Sequence, residues 1–229
     1  MNSDLAKVLH PVADRPMLLW VLDAIAEAGI NDTAVVVGHQ ADDVRSILPD
    51  GVRSAHQVEQ LGTGHAAATG LSALDLDASD DILVMPGDMP LVSAATLREM
   101  LALHIDSAAA VTLLTVELDE PRAYGRVIRA DGDVVGIVEV KDATPEQLDI
   151  TEVNASVYLF AAEHLPRALQ QIDRNNAQAE YYLTDAVGIL VDEGFRASAF
   201  IGEPEEGLGI NSVDQIAGVE AVLLQRRRS

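Results

Sequence analysis

Asp88 closes the segment ILVMPGDMPL, in which an apolar run enters Pro86 and Gly87 and delivers a carboxylate at its end. A carboxylate there suits Mg2+, which prefers oxygen ligands and takes one or two from the protein and the rest from phosphates and water. A turn aspartate between glycine and prolines has the same local signature. A second signal is EQLGTGHAAATG, where Gly62, Thr63 and Gly64 open a helix. Backbone N–H groups at a helix N-terminus bind anions, and glycines let a ligand approach the backbone. The segment is neither a P-loop nor a GxGxxG loop, and an ordinary capping turn fits it as well.

Further positions carry chemistry of the same polar kind. Gly125 in AYGRV removes a side chain where one would crowd a ligand, or simply turns the chain. Glu139 ends a strand-like run in GIVEVKDAT, either as a site acid or as a surface acid beside Lys141. Asn154 lies inside the apolar run EVNASVYLF. Its amide must find a partner in ligand or backbone, because an unpaired one costs about 1–3 kcal/mol. Asn211 in GLGINSVD precedes the last helix, where an N-cap is the default role. The six histidines show no HxxxH or HxH spacing, which argues against zinc, and no serine sits in a nucleophile-elbow context.

These residues need elements to hold them. Met17, Leu18, Val21, Leu22 and Ile25 share one face at helical spacing, predicting a helix over 15–28 with Asp14 as N-cap and Gly29 as its stop. The run over 33–38 is a strand of the kind buried on both faces of a parallel sheet. Alternation continues: a short helix over 41–48, a strand near 52–57, a helix after 62, a strand over 81–86, a helix over 94–104 and a strand over 108–118. Strands alternating with helices at this rhythm predict a doubly wound α/β sheet, with ligands gathered at the carboxyl ends of its strands. After Glu117 the pattern changes. Residues 125–140 read as two strands turning at Asp131-Gly132, followed by a strand over 152–160, helices near 162–172 and 182–193, a strand near 197–201 and a last helix from Ser212. This second half reads as a lobe built onto the first half's sheet. No linker interrupts the chain, so a single domain over residues 1–229 is expected.

Composition restricts the partners. There are 37 acids against 15 bases, a formal charge of −22, and Lys7 and Lys141 are the only lysines. Such a field repels nucleic acid and anionic membranes, and neither is an expected partner. It fits a solvated acidic surface suited to a salt-rich cytoplasm, where screening lengths are short. No apolar run approaches the roughly 18 residues that span a bilayer, the first residues lack a secretory h-region, and cysteine is absent. A soluble, cytoplasmic protein is the expectation.

In order and separation, SDLAKVLH, EQLGTGHA, PGDMPL, YGRV, GIVEVKDAT, NNAQAEYYLTD and GIN resemble the uridylyltransferase domain of the GlmU family, a branch of the sugar-phosphate nucleotidyltransferases. The resemblance implies a Rossmann-like doubly wound mixed sheet with helices on both faces and a smaller β-containing sugar-binding lobe. It implies the reaction of UTP with N-acetylglucosamine 1-phosphate to give UDP-N-acetylglucosamine and pyrophosphate, with Mg2+ as cofactor. By similarity Asp88 and Asn211 hold the metal and Lys7 reaches the nucleotide phosphates. Gln57, Gly62 and Thr63 match positions around the uridine. Gly125, Glu139 and Asn154 match contacts to the N-acetylglucosamine moiety, and Gly87 lies beside the metal aspartate.

Departures accompany the resemblance. Ala6 stands where the family commonly has proline, Pro86 is at a variable position, and EVNAS replaces EVNTG or EINTG, so Ala155 and Ser156 are expected to alter the sugar pocket's floor. Family members place an apolar strand and an LAAGxGTRM loop before the lysine segment, and here Met1 falls where that loop ends. A start at an internal methionine is therefore expected, with unpaired backbone on both neighbours of the omitted strand. The sequence carries no hexapeptide repeats, so the acetyltransferase activity of the family's β-helix is not expected of residues 1–229. The resemblance leaves open a homo-oligomer if the chain is part of a longer enzyme, another sugar-1-phosphate nucleotidyltransferase, and a nucleotide-sugar-binding protein without turnover.

Overall fold

The computed structural model describes residues 5–210 and 212–226. A 3-10 turn at Lys7–Leu9 leads into a hairpin of two very short strands, β1 (Pro11–Val12) and β2 (Arg15–Pro16). Its turn residues Ala13 and Asp14 have φ of 50° and 61°, the left-handed pair a two-residue hairpin requires. Asp14 is thus not the N-cap expected from the sequence. Helix α1 (Met17–Glu27) begins after Pro16 instead, because residues 15 and 16 are spent on the hairpin. Its apolar stripe of Met17, Leu18, Val21, Leu22 and Ile25 is buried as the spacing predicts, and Gly29 stops it at φ 92°.

Strand β3 (Ala34–Val37), helix α2 (Ala41–Arg45) and strand β4 (Arg53–His56) form a β-α-β unit in which β3 and β4 pair in parallel. Helix α3 (Thr63–Leu71) follows, then β5 (Asp81–Val84), α4 (Ala94–Ser107) and β6 (Val111–Glu117). The hairpin of β7 (Arg126–Ala130) and β8 (Asp133–Val138) turns at Asp131 and Gly132, both with positive φ, as expected. A capped turn, α5 (Pro145–Leu148), precedes the ten-residue β9 (Glu152–Ala161). Helices α6 (Leu165–Gln171) and α7 (Asp185–Asp192), strand β10 (Ala197–Ile201) and helix α8 (Val213–Arg226) complete the order.

The main sheet runs β10-β6-β9-β7-β8, with β5 pairing β9 off this path. It is mixed: β10 is parallel to β6, whereas β9 is antiparallel to β5, β6 and β7. Alternating side chains fill both faces. Leu114, Ala155, Val157 and Leu159 join α1, α2 and α4 in one core, while Leu113, Tyr158 and Phe160 join α3, α6 and α7 in the other. Helices therefore cover both faces, as doubly wound patterning requires. One feature departs from a continuous sheet. Among the described residues β3 pairs only with β4 and β5 only with β9, so the sheet is in two hydrogen-bonded pieces.

Strand β9 carries a register shift against β6, and Ser156 takes φ 60° there. The bulge divides the strand's work. Its C-terminal half lies between β5 and β6, and its N-terminal end meets β7, which joins the β7–β8 lobe to the main sheet.

Candidate active site

Strand β5 ends at Val84, and Asp88 follows at its carboxyl end, where open α/β sheets collect ligands. Lys7 Nζ forms an ion pair with Asp88 Oδ2, the lysine side chain 38% and the aspartate 18% exposed. Gly87 explains how these two meet. A Cβ there would lie 3.1 Å from Leu18 and 3.3 Å from Val8, so the missing side chain lets the lysine turn pack against the loop that carries Asp88. The Asp88 carbonyl accepts from Ile210 N at 3.0 Å, drawing residues 209 and 210 to the same point. Asn211, the other expected metal ligand, lies outside the described residues. Tyr124 also belongs here. Burial raises its phenol above the ordinary range, partly offset by a hydrogen bond with the Gly209 backbone, and the nearby Asp88 charge raises it further.

Gln57 stands one residue beyond β4, its N–H held by the Val37 carbonyl at 2.8 Å. Its side-chain Nε2 donates to Gly62 O at 3.2 Å and lies 2.9 Å from His65 Nδ1. Gly62 has φ 118°, and a Cβ there would sit 2.5 Å from Tyr181 O, so only glycine fits. Three bonds stitch this segment to the far lobe: Gly64 N donates to Tyr181 O, Tyr181 N to Leu61 O, and Leu183 N to Thr63 Oγ1 at 2.9 Å. The Thr63 hydroxyl is therefore an acceptor for the backbone, with its proton left for another partner.

The third group converges as well. Asn154 N donates to Gly125 O at 2.9 Å, and a Cβ on Gly125 would lie 3.6 Å from Glu139 Oε1. Glu139 is not paired with Lys141, whose ammonium donates to Gln178. It accepts instead from Thr184 Oγ1 at 3.3 Å. Burial raises the Glu139 carboxyl above the usual range, the Thr184 bond offsets part of this, and Asp185 and Asp142 add to the rise. Asn154 is 3% exposed, with Nδ2 donating to Tyr158 OH at 2.7 Å and Oδ1 accepting from Ser156 N at 3.1 Å. Its amide is thus satisfied inside β9, with one N–H left over. Ala155 is buried in the core with Leu114 and Val157. The expected change to the pocket floor therefore narrows to Ser156, which is exposed.

Tyr124, His65 and Thr184 were not singled out by sequence reasoning. Each lies inside a quoted motif, but its role depends on a partner far along the chain or on a turn whose shape the motif does not state. Among the described residues no three acidic or histidine side chains gather as a metal cage. One carboxylate beside an open loop is nonetheless the donor set of a Mg2+ that shares its shell with phosphates.

The sequence pattern described as Nucleotidyl transferase matches residues 1–206. The chain belongs to the nucleotidyl transferase family. Among curated members, Bifunctional protein GlmU of Trichlorobacter lovleyi is 47% identical over 230 residues, covering 99% of this chain and 50% of that protein. Bifunctional protein GlmU of Geobacter metallireducens is 45% identical, covering 100% of this chain and 48% of that protein. This nucleotidyl transferase chain thus spans about half the length of the curated relatives it matches. Solved structures agree on the fold. One described as a glucose-1-phosphate thymidylyltransferase from Bacillus anthracis, in complex with a sucrose, superposes with a TM-score of 0.73 at 16% identity over 94% of this chain and 85% of that one. A UDP-glucose pyrophosphorylase complexed with UDP-glucose gives 0.73 at 17% identity, over 96% and 90%. Among the described residues no helix is long and apolar enough to cross a membrane.

Proposed function

We propose that this nucleotidyl transferase joins UTP to N-acetylglucosamine 1-phosphate, releasing pyrophosphate and UDP-N-acetylglucosamine. The observation that carries the reading is that the expected residues form bonded groups, Lys7 with Asp88, Gln57 with Gly62, and Asn154 with Gly125, and that residues 181–184 join segment 62–64 to Glu139. The curated relatives that match over nearly the whole chain are named Bifunctional protein GlmU, which supports the same reading.

In this mechanism a phosphate oxygen of the sugar phosphate gives an electron pair to the α-phosphorus of UTP. The bond to the bridging oxygen breaks and pyrophosphate leaves opposite. No proton has to move, so the protein's task is alignment and charge neutralisation. Asp88 and Asn211 would hold a magnesium ion, which would supply positive charge to the phosphates. Lys7, half-exposed beside Asp88, supplies an ammonium to the phosphates. Gln57 and the Gly62–Thr63 segment hold the uridine. Glu139 accepts hydrogen bonds from hydroxyls of the sugar and Asn154 offers its remaining amide N–H. UTP, the sugar phosphate and a cytoplasmic setting belong to this same reading, as does assembly into a homo-oligomer within a longer enzyme.

Pyrophosphate release with UTP, N-acetylglucosamine 1-phosphate and Mg2+ tests it. Release confined to this pair supports the assignment. Faster release with CTP, dTTP or glucose 1-phosphate would move it to another nucleotidyltransferase. Calorimetric binding of UDP-N-acetylglucosamine without any pyrophosphate exchange would make the chain a binding protein.

A further inference from the structure

The amide of Gln57 is held in one sense only. Gly62 O is a carbonyl and accepts only, so the atom 3.2 Å away must be the amide nitrogen. The same nitrogen is 2.9 Å from His65 Nδ1, which must then be the unprotonated ring nitrogen, with the proton on Nε2. Both N–H bonds of Gln57 are used, and Oε1 has no partner among the described residues. What Gln57 can offer a ligand is therefore an acceptor.

His65 reaches this place because it is the third residue of α3, after Thr63 and Gly64, with Gly62 as N-cap. Side chains at that position lean back over the helix N-terminus. Gly62 O alone is a weak anchor: it also accepts from Ala66 N at 3.1 Å. One hydrogen bond leaves the amide free to swing about it, whereas two fix its plane.

We propose that His65 is a positioning residue for base selection, accepting from Gln57 so that Oε1 is the face shown to the pyrimidine. This rests on the assignment of Gln57 to the uridine. Uracil carries an N3–H that an amide oxygen can accept, whereas cytosine N3 is itself an acceptor and would meet that oxygen lone pair to lone pair. A swung or reversed amide loses this distinction.

Calorimetric titration of the full chain with UTP and CTP, in Mg2+, reads the effect. His65→Ala and His65→Leu both remove the acceptor, so a folding defect in one does not decide the matter. His65→Asn places Oδ1 near the former Nδ1. The expected result is that Ala and Leu lose about five- to tenfold of the preference for UTP over CTP, the scale of one hydrogen bond. Most of the loss falls on UTP affinity and KM, with kcat at saturation unchanged, and Asn keeps the preference. In a Gln57→Ala background, His65→Ala has no further effect on the ratio, a non-additivity that a merely structural role would not give. An unchanged ratio in Ala and Leu, a loss in Asn equal to theirs, or an additive double variant overturns the role of His65. A parent chain that binds both nucleotides alike overturns the uridine assignment itself.

Discussion

At the scale of single residues, Lys7 and Asp88 form an ion pair that brings an ammonium and a carboxylate to the same point of the site. Lys7→Ala should lower the rate of pyrophosphate release by roughly 10² to 10³, the loss seen when one preorganised charge donor is removed from a transferring group. Asp88→Asn should remove the response of that rate to Mg2+ titration, because an amide is a poor ligand for the ion. Glu139 makes a prediction about pH. Its carboxyl is raised in the folded chain, chiefly by burial, so between the unfolded and folded values the native state holds the extra proton. Stability should then fall as pH rises from the ordinary carboxylate range through that window, and level off above it. Glu139→Gln should melt higher than the parent at neutral pH, with the difference closing at and below pH 4.5. It should also bind the sugar phosphate more weakly. A melting series against pH, with KM for the sugar phosphate, checks both.

At the scale of elements, two backbone positions govern how the lobes meet. Ser156 holds φ 60° at the bulge of β9, a conformation that costs a residue with a Cβ about 1–2 kcal/mol. Ser156→Gly should therefore stabilise the fold by about 0.5–1 kcal/mol once glycine's own entropy is subtracted. That would appear as a rise of about 1–4 °C in Tm, and a lower Tm would mean that the serine's contacts outweigh the strain. Gly62 is the opposite case. An alanine Cβ would meet backbone at 2.5 and 2.8 Å at φ 118°, where the segment is bonded to Tyr181. Gly62→Ala should cost about 2 kcal/mol or more and open the join between the nucleotide segment and residues 181–183.

At the scale of the whole molecule, the net charge of −22 should make stability depend on salt. Tm should climb steadily from low ionic strength to molar KCl as self-repulsion is screened, and a flat profile would remove the salt adaptation. The order of helices and strands was legible because buried stripes and continuous apolar runs are local: Val21 and Ile25 mark α1, and residues 34–37 mark β3. The motif residues were legible too, since Asp88 follows its strand and Gly62 opens its helix. Local signals failed where a neighbour distant in sequence decided the outcome. Asp14 looked like an N-cap until Pro11–Val12 and Arg15–Pro16 paired across it. Glu139 read equally as a site acid or as a surface acid beside Lys141, and only the fold brings Thr184, 45 residues away, to its carboxylate. Local patterning also did not reveal that β9 lies between β5 and β6, which only the sheet pairing decides. By itself the sequence determined which segments are helix or strand and which residue types could handle phosphates and a sugar. Tertiary structure decided which oxygen faces which proton, because hydrogen-bond partners meet in space across loops whose periodicity says nothing about where they go.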